Sequence, residues 1–226
     1  MTGRSVVFFF DVDNTLLDND AVSADLRAHL EREVGHERQQ RYWAFFEELR
    51  EELGYADYLG ALQRYRREFP HDPHVLTVSF YLLGYPFANR LFPHSLDVID
   101  YCRKWGRVVL LTDGDVVFQP HKVERSGLLQ AVEQHVLIYI DKERELNEVE
   151  RRYPADHYVM VEDKLRILTA MKEIWEDRLT TVFVRQGHYA HDLQEITQYP
   201  PADVTIERIG DLLKYAGETL LRPAAK

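Results

Sequence analysis

One cysteine, Cys102, is all that the 226 residues contain. A disulfide framework, a paired-thiol redox site and a thiolate zinc centre are therefore excluded within one chain. Cys102 falls in an amphipathic helical pattern, where a small core residue is the expected role. Long hydrophobic runs are also missing. VVFFF near the start is too short for a signal peptide or a membrane span, and no other segment is long enough. We therefore expect a cytoplasmic protein with no membrane partner. Positive charge is scarce, 28 Lys and Arg against 38 Asp and Glu, for a formal net charge of −10. That argues against a DNA- or RNA-binding surface, while a few local cations can still hold a small phosphorylated substrate. What remains has 45% hydrophobic and 29% charged residues, a soluble globular balance. The length suits one domain, or one domain carrying an inserted module.

Apolar, β-rich runs recur: VVFFF (6–10), VVLL (108–111), VLIYI (136–140), YVMV (158–161), TVFV (181–184) and VTI (204–206). None alternates between apolar and polar, as expected of strands covered on both faces. Helical patterns stand between most of them. SLDVIDYCRKWG offers Ser95 as N-cap and Gly106 as terminator. KLRILTAMKEIWED spaces Leu165, Leu168, Met171 and Trp175 along one face, and IGDLLKYAG ends on Gly217. The alternation predicts an α/β fold, a Rossmann-like parallel sheet with helices on both faces. The stretch from Phe10 to Val108 interrupts that rhythm. AVSADLRAHLEREV, RQQRYWAFFEELREEL and YADYLGALQRYRREF read as helices, and PHDPH (70–74) divides the segment. Residues 17–92 are thus expected to form an all-helical module inserted after the first strand. Residues 1–16 and 93–226 form the α/β core, and the terminal RPAAK is expected to fray.

Ligands of an open parallel sheet bind at the carboxyl ends of its strands. At those ends stand DVDNT after VVFFF, TDGD after VVLL, DK after VLIYI and ED after YVMV. Four strands delivering polar groups at one edge is more than loop solvation requires. Asp11 is the first residue past a buried strand. Clustered acid oxygens, with no Cys and no evident His cluster, are hard ligands suited to Mg²⁺, which would relieve their repulsion. An Asp carboxylate can attack phosphorus and form an aspartyl-phosphate. Asp13 can protonate a leaving oxygen and then activate water. The Thr112 hydroxyl and the Lys142 cation can meet the transferring phosphoryl oxygens. Asp18 and Asp20 read as linker or cap residues, with Asp20 or Ser23 starting the first inserted helix. Asp163 also suits the N-cap of a helix beginning near Lys164.

Asp11-Val12-Asp13-Asn14-Thr15-Leu16 resembles the DxDxT signature of the haloacid dehalogenase-like superfamily. Thr112-Asp113-Gly114 looks like its second motif, Lys142 like its third-motif lysine, and Glu162-Asp163 like its acidic fourth motif. They stand in family order along the whole chain, and the helical insertion resembles the C1-type cap. The resemblance implies that Asp11 is the nucleophile and Asp13 the acid/base. It also implies a Mg²⁺ held by Asp11, the backbone carbonyl of Asp13 and a fourth-motif acid. That acid is Asp163, with Glu162 ligating directly, through water, or from behind. Asn14, Asp113 and Gly114 are expected beside the substrate. The chain departs from the family pattern in three places. Glu143 follows Lys142 where many relatives have proline, Asp113 stands where many have Asn, and Ile167 and Leu168 stand where a second acid is common. Lys122, in QPHKVERSGL, is the alternative active-site lysine, its other reading being a solvated helix face.

Caps select substrates in this family, so Arg41, Tyr42, Tyr55 and Tyr58 are the specificity candidates, although RYWAFFEEL also reads as the apolar face of a cap helix. The pairs His71/His74 and His188/His191 have a spacing metals use, but lack a third ligand nearby and are expected at the surface. The expected activity is Mg²⁺-dependent hydrolysis of a small phosphomonoester through an aspartyl-phosphate, by a monomer or homodimer. The alternatives are a 2-haloacid dehalogenase, a phosphomutase, or a catalytically weak binding member.

Overall fold

A strand covered on both faces is apolar throughout, and every residue of Val6–Phe10 is buried. The computed structural model, which describes residues 5–215 and 217–220, turns all six apolar runs into strands. They are β1 (Val6–Phe10), β2 (Arg107–Asp113), β3 (Val136–Tyr139), β4 (His157–Glu162), β5 (Leu179–Val184) and β6 (Val204–Ile206). All pair in parallel, in the order β3-β2-β1-β4-β5-β6. Helices α1 (Asn19–Val34), α2 (His36–Leu53), α3 (Tyr58–Glu68) and α4 (Val75–Gly84) form the insertion between β1 and β2. Helix α5 (Ser95–Arg103) then leads into β2, followed by α6 (Phe118–Arg125) and α7 (Leu128–Ala131) before β3. Helix α8 (Leu146–Arg152) precedes β4, and α9 (Leu165–Trp175) follows it.

The strand residues divide strictly by face. Val7, Phe9, Val109, Leu111, Tyr158 and Met160 pack with Val149, Leu168, Met171 and Trp175 of α8 and α9. Phe8, Phe10, Val108, Leu110, Val159 and Val161 pack with Val98, Ile99 and Cys102 of α5 and Val123 of α6. Cys102 is a core residue, as its helical position predicts. Among the described residues no helix is long and apolar enough to cross a membrane.

Several local expectations change. Helix α4 has no counterpart in the helical patterns above, because VLTVSFYLLG carries no charge to mark a solvent face. Val78 and Leu82 point inward while Leu76 and Phe80 stay exposed. Asp18, not Asp20 or Ser23, caps α1, its carboxylate accepting from the Ala21 amide at 2.8 Å. Ser95 caps nothing. It is the first residue of α5 and its hydroxyl donates to the Leu16 carbonyl at 2.8 Å, pinning the end of the first loop. Gly217 opens a short helical turn (Gly217–Leu220) after the 3₁₀ segment Ile209–Lys214, and so does not end a helix. The RPAAK segment lies outside the described residues.

Gly106 follows a helix that has already ended at Arg103. Its lack of a side chain serves the sheet, since a Cβ there would stand 2.4 Å from the Val6 carbonyl oxygen. Gly106→Ala is therefore expected to lower stability by about 1–3 kcal/mol, read as a shifted urea midpoint at unchanged slope.

Candidate active site

The chain leaves β1 through a tight turn. The Val12 carbonyl accepts from the amides of Leu16 (3.0 Å) and Leu17 (2.9 Å), and the Asn14 amide donates to Leu17 O at 2.6 Å. Asn14 takes the left-handed conformation (φ 61) that Asn tolerates better than most residues. Its side chain is engaged within the protein. Oδ1 accepts from the Asn19 and Asp20 amides at 3.0 and 3.1 Å, and Nδ2 donates to Asp20 at 3.1 Å. Asn14 borders the cleft described below, yet its side chain starts α1 from there. The turn fixes Asp11 and Asp13, while the Asp11 amide prolongs the β1–β4 ladder by donating to Val161 O at 3.0 Å. Asp11 is thus level with Glu162, at the point where the strand order reverses and open α/β sheets bind ligands.

Three acids meet there. Oxygens of Asp11, Glu162 and Asp163 all lie within 4.8 Å of one another, the one such group among the described residues. Lys142, 1% exposed, places its Nζ 2.5 Å from Asp11 and 2.6 Å from Glu162. The second oxygen of Glu162 accepts from the amides of Asp163 and Lys164 at 3.1 and 3.2 Å. Asp163 is buried, and neither of its oxygens has a hydrogen-bond partner. It does not cap α9, whose N-cap is Lys164.

Burial, and then the Glu162 charge, push the Asp11 carboxyl up to about 7 against the pull of Lys142. Burial followed by Glu162 also lifts Asp163 well above the ordinary range. For Lys142 burial acts downward, but Asp11 and Glu162 outweigh it and hold the ammonium charged. A buried carboxylate without donors beside two more acids is unfavourable unless it takes up a proton or a cation joins it. The all-oxygen donor set fits Mg²⁺.

Asp13 faces a different lysine. The Lys122 ammonium donates to both Asp13 oxygens at 2.8 Å and to Asn19 Oδ1 at 3.0 Å. Lys122 is buried, so the solvated-face reading is wrong. The buried residues of α6 are Phe118, Gln119, Lys122 and Val123, and the apolar pair Phe118 and Val123 marked that inward face in the sequence. Gln119, which sequence reasoning missed, donates to Thr112 Oγ1 at 3.0 Å and approaches Asp13 at 3.4 Å. The two lysines are thus not alternatives, since each holds a different acid.

A sequence model for haloacid dehalogenase-like hydrolases matches residues 6–174. The chain belongs to this family. A protein designated a haloacid dehalogenase-like hydrolase from Burkholderia xenovorans LB400 is 60% identical and superposes with a TM-score of 0.89, over 95% of this chain and 100% of that one. The HAD-hydrolase YfnB from Bacillus subtilis, solved bound to magnesium, is 15% identical with a TM-score of 0.62, over 94% of this chain and 98% of that one. The L-2-haloacid dehalogenase from Xanthobacter autotrophicus is 17% identical with a TM-score of 0.58, over 92% and 96% respectively. These last two likenesses concern the fold. No curated protein matches the chain.

The departures from the family's motifs have structural counterparts. Without a proline after it, Lys142 is still fixed, because its amide donates to the Asp113 carboxylate at 2.8 Å. Asp113 therefore acts through its side chain. Glu143 is buried and ion-pairs with Arg166. Ile167 and Leu168 lie in the core face of α9, so no second acid comes from that helix.

The inserted helices and the strand ends border a cleft of about 450 Å³. Asp11, Asp13, Asn14, Thr112 and Asp113 border it, as do Tyr55 and Tyr58. Arg41 and Tyr42 do not. Arg41 lies over the Phe45 ring and bonds Glu68 and Glu48 on an exposed face of α2. Tyr42 is buried, its hydroxyl donating to the Tyr58 carbonyl at 2.8 Å. The walls missed by sequence reasoning include Arg27, Trp43, Phe46, Arg50 and Lys164. Trp43 and Phe46 follow the i, i+3 spacing of the α2 apolar face, one step round from Arg41 and Tyr42. Gly114 is not a wall residue; its φ is 157, and a Cβ would stand 2.9 Å from the Gln119 side chain. Asp20 joins the insertion to the β5 side, accepting from the His188 amide at 2.8 Å and meeting its ring at 2.6 Å. His71, His188 and His191 are exposed, and the His74 ring pairs with Asp72 at 2.9 Å.

Proposed function

We propose that this hydrolase cleaves a small phosphomonoester, with Mg²⁺, through an aspartyl-phosphate on Asp11. The observation that carries the reading is the buried Asp163, whose donor-free oxygens stand beside Asp11 while a second carboxylate, Asp13, borders the same cleft. Asp11 attacks phosphorus in line as the ester oxygen departs. Asp13 protonates that oxygen, then takes a proton from the water that hydrolyses the acyl phosphate. The Lys142 ammonium and the Thr112 hydroxyl face the transferring group and stabilise charge on its equatorial oxygens. Asp11, Asp163 and the Asp13 carbonyl would hold Mg²⁺, which when bound supplies charge neutralisation for the acids and the phosphoryl group. Glu162 serves from behind, since one of its oxygens is taken by Lys142 and the other by two amides. Residues 17–92 act as the cap, and Tyr55, Tyr58 and Arg27 on its cleft side select the substrate. Arg27 stacks 4.5 Å over Trp43 at that wall.

A 2-haloacid dehalogenase uses the Asp nucleophile without a metal and without an acid two residues on, so it leaves Asp13 and Asp163 without work. EDTA separates the two readings. Chelation is expected to abolish phosphate release from p-nitrophenyl phosphate, and added Mg²⁺ to restore it. Asp163→Asn is expected to raise the Mg²⁺ concentration for half-maximal activity by at least about tenfold. Turnover indifferent to EDTA and to Asp163→Asn would refute the metal-dependent reading.

A further inference from the structure

We infer that Lys122 is a positioning residue for proton transfer by Asp13, and that Asn19, the first residue of α1, holds Lys122 in that role. This rests on the acid/base role proposed for Asp13. A buried ammonium is tolerated only when its hydrogen-bonding capacity is met. Lys122 is 1% exposed, and its donors go to the two Asp13 oxygens at 2.8 Å and to Asn19 Oδ1 at 3.0 Å. Its charge is not needed by the acids around Asp11, because Lys142 already stands between Asp11 and Glu162. Nor does Lys122 cover Asp13, whose side chain keeps 28% exposure and borders the cleft. The carboxylate is therefore pinned and still accessible. Gln119, on the same face of α6, approaches one Asp13 oxygen at 3.4 Å and ties it to Thr112. The Tyr58 ring, 6.0 Å from the ammonium, closes the site from the insertion side.

The consequence lies in the first half of the reaction. As Asp11 bonds to phosphorus and the P–O ester bond breaks, the Asp13 proton passes to the leaving oxygen, releasing an alcohol. The charge that develops on Asp13 meets an ammonium already in place, so no group must reorganise at that moment. In the second half Asp13 takes a proton from water as the acyl phosphate is cleaved, which returns it to its starting form. No other reactant enters.

Such a role is felt most where the leaving group most needs a proton. Phenoxide is strongly basic, its parent phenol resembling a Tyr hydroxyl of pKa about 10, whereas p-nitrophenoxide leaves with little help. With saturating Mg²⁺, Lys122→Met is expected to lose about tenfold more kcat/KM on phenyl phosphate than on p-nitrophenyl phosphate. Lys122→Arg should recover most of that difference. Asn19→Ala, which frees one tether of the ammonium, should show the same pattern to a smaller degree. It carries the test if Lys122→Met does not fold. Equal losses on the two esters, or no loss on phenyl phosphate, overturn the inference. Asp13→Asn separates its failure from that of the underlying reading. If Asp13→Asn is sensitive to the leaving group and Lys122→Met is not, only the role of Lys122 fails. If Asp13→Asn is insensitive too, the acid role itself is wrong.

Discussion

Asp11→Asn is expected to reduce Mg²⁺-dependent phosphate release from p-nitrophenyl phosphate by at least about four orders of magnitude. The amide keeps the shape of the side chain and removes the nucleophile, so the covalent route closes while the cleft persists. The same change should stabilise the metal-free protein. The folded-state pKa of Asp11 stands near 7, against an ordinary 3.8. With the folded pKa above the unfolded one, its contribution is fully present below about pH 4 and is lost as pH rises through about 7. The ionised carboxylate is therefore a penalty at neutral pH that the Asn variant lacks. Melting curves in EDTA should show Asp11→Asn above the wild type at pH 8, with the gap closing toward pH 4. A variant that still turns over, or one less stable than wild type at pH 8 without metal, contradicts this account of Asp11.

Lys142→Met should lose both activity and stability. Its ammonium stands between Asp11 and Glu162 at 2.5 and 2.6 Å in a buried site. Removing one partner of such a group leaves two carboxylates facing each other without compensation, a change worth about 3–5 kcal/mol. The transferring phosphoryl group also loses a cation, which is expected to lower kcat/KM by about a thousandfold. Urea unfolding and steady-state kinetics measure the two effects separately. The double variant Asp11→Asn/Lys142→Met should regain part of the lost stability, because it also removes one uncompensated charge. Strictly additive changes in that cycle, with Asp11→Asn adding no more stability in the Lys142→Met background than in the wild type, would mean that Lys142 acts on the fold by some route other than this pair.

The sheet and its acidic edge were legible in the sequence because each rests on a short-range pattern. VVFFF, VVLL and YVMV are apolar on both faces and end in polar residues, and the parallel register then brings Asp11 level with Glu162. What could not be read depends on packing between elements distant in sequence. Lys122 looks like any helical lysine until α6 is docked with Phe118 and Val123 inward, which carries Gln119 and Lys122 to Asp13, over a hundred residues earlier. Arg41 and Tyr42 lie one step round α2 from Trp43 and Phe46, and that step separates an outer ion pair and a core hydroxyl from the cleft wall. Helix α4 lacked any polar face to announce its period. Asn14, within the motif, and Asp20, just past it, serve the start of α1 and a contact to His188, contacts that no spacing rule distinguishes from substrate binding.

The claim that the site performs metal-dependent phosphoryl transfer is tested most directly by assaying one preparation for two products. Phosphate released from p-nitrophenyl phosphate and chloride released from L-2-chloropropionate would each be measured with Mg²⁺ and with EDTA. Phosphate release that requires Mg²⁺ is expected, with no chloride under either condition. Chloride release that persists in EDTA, with no phosphate released, would contradict it.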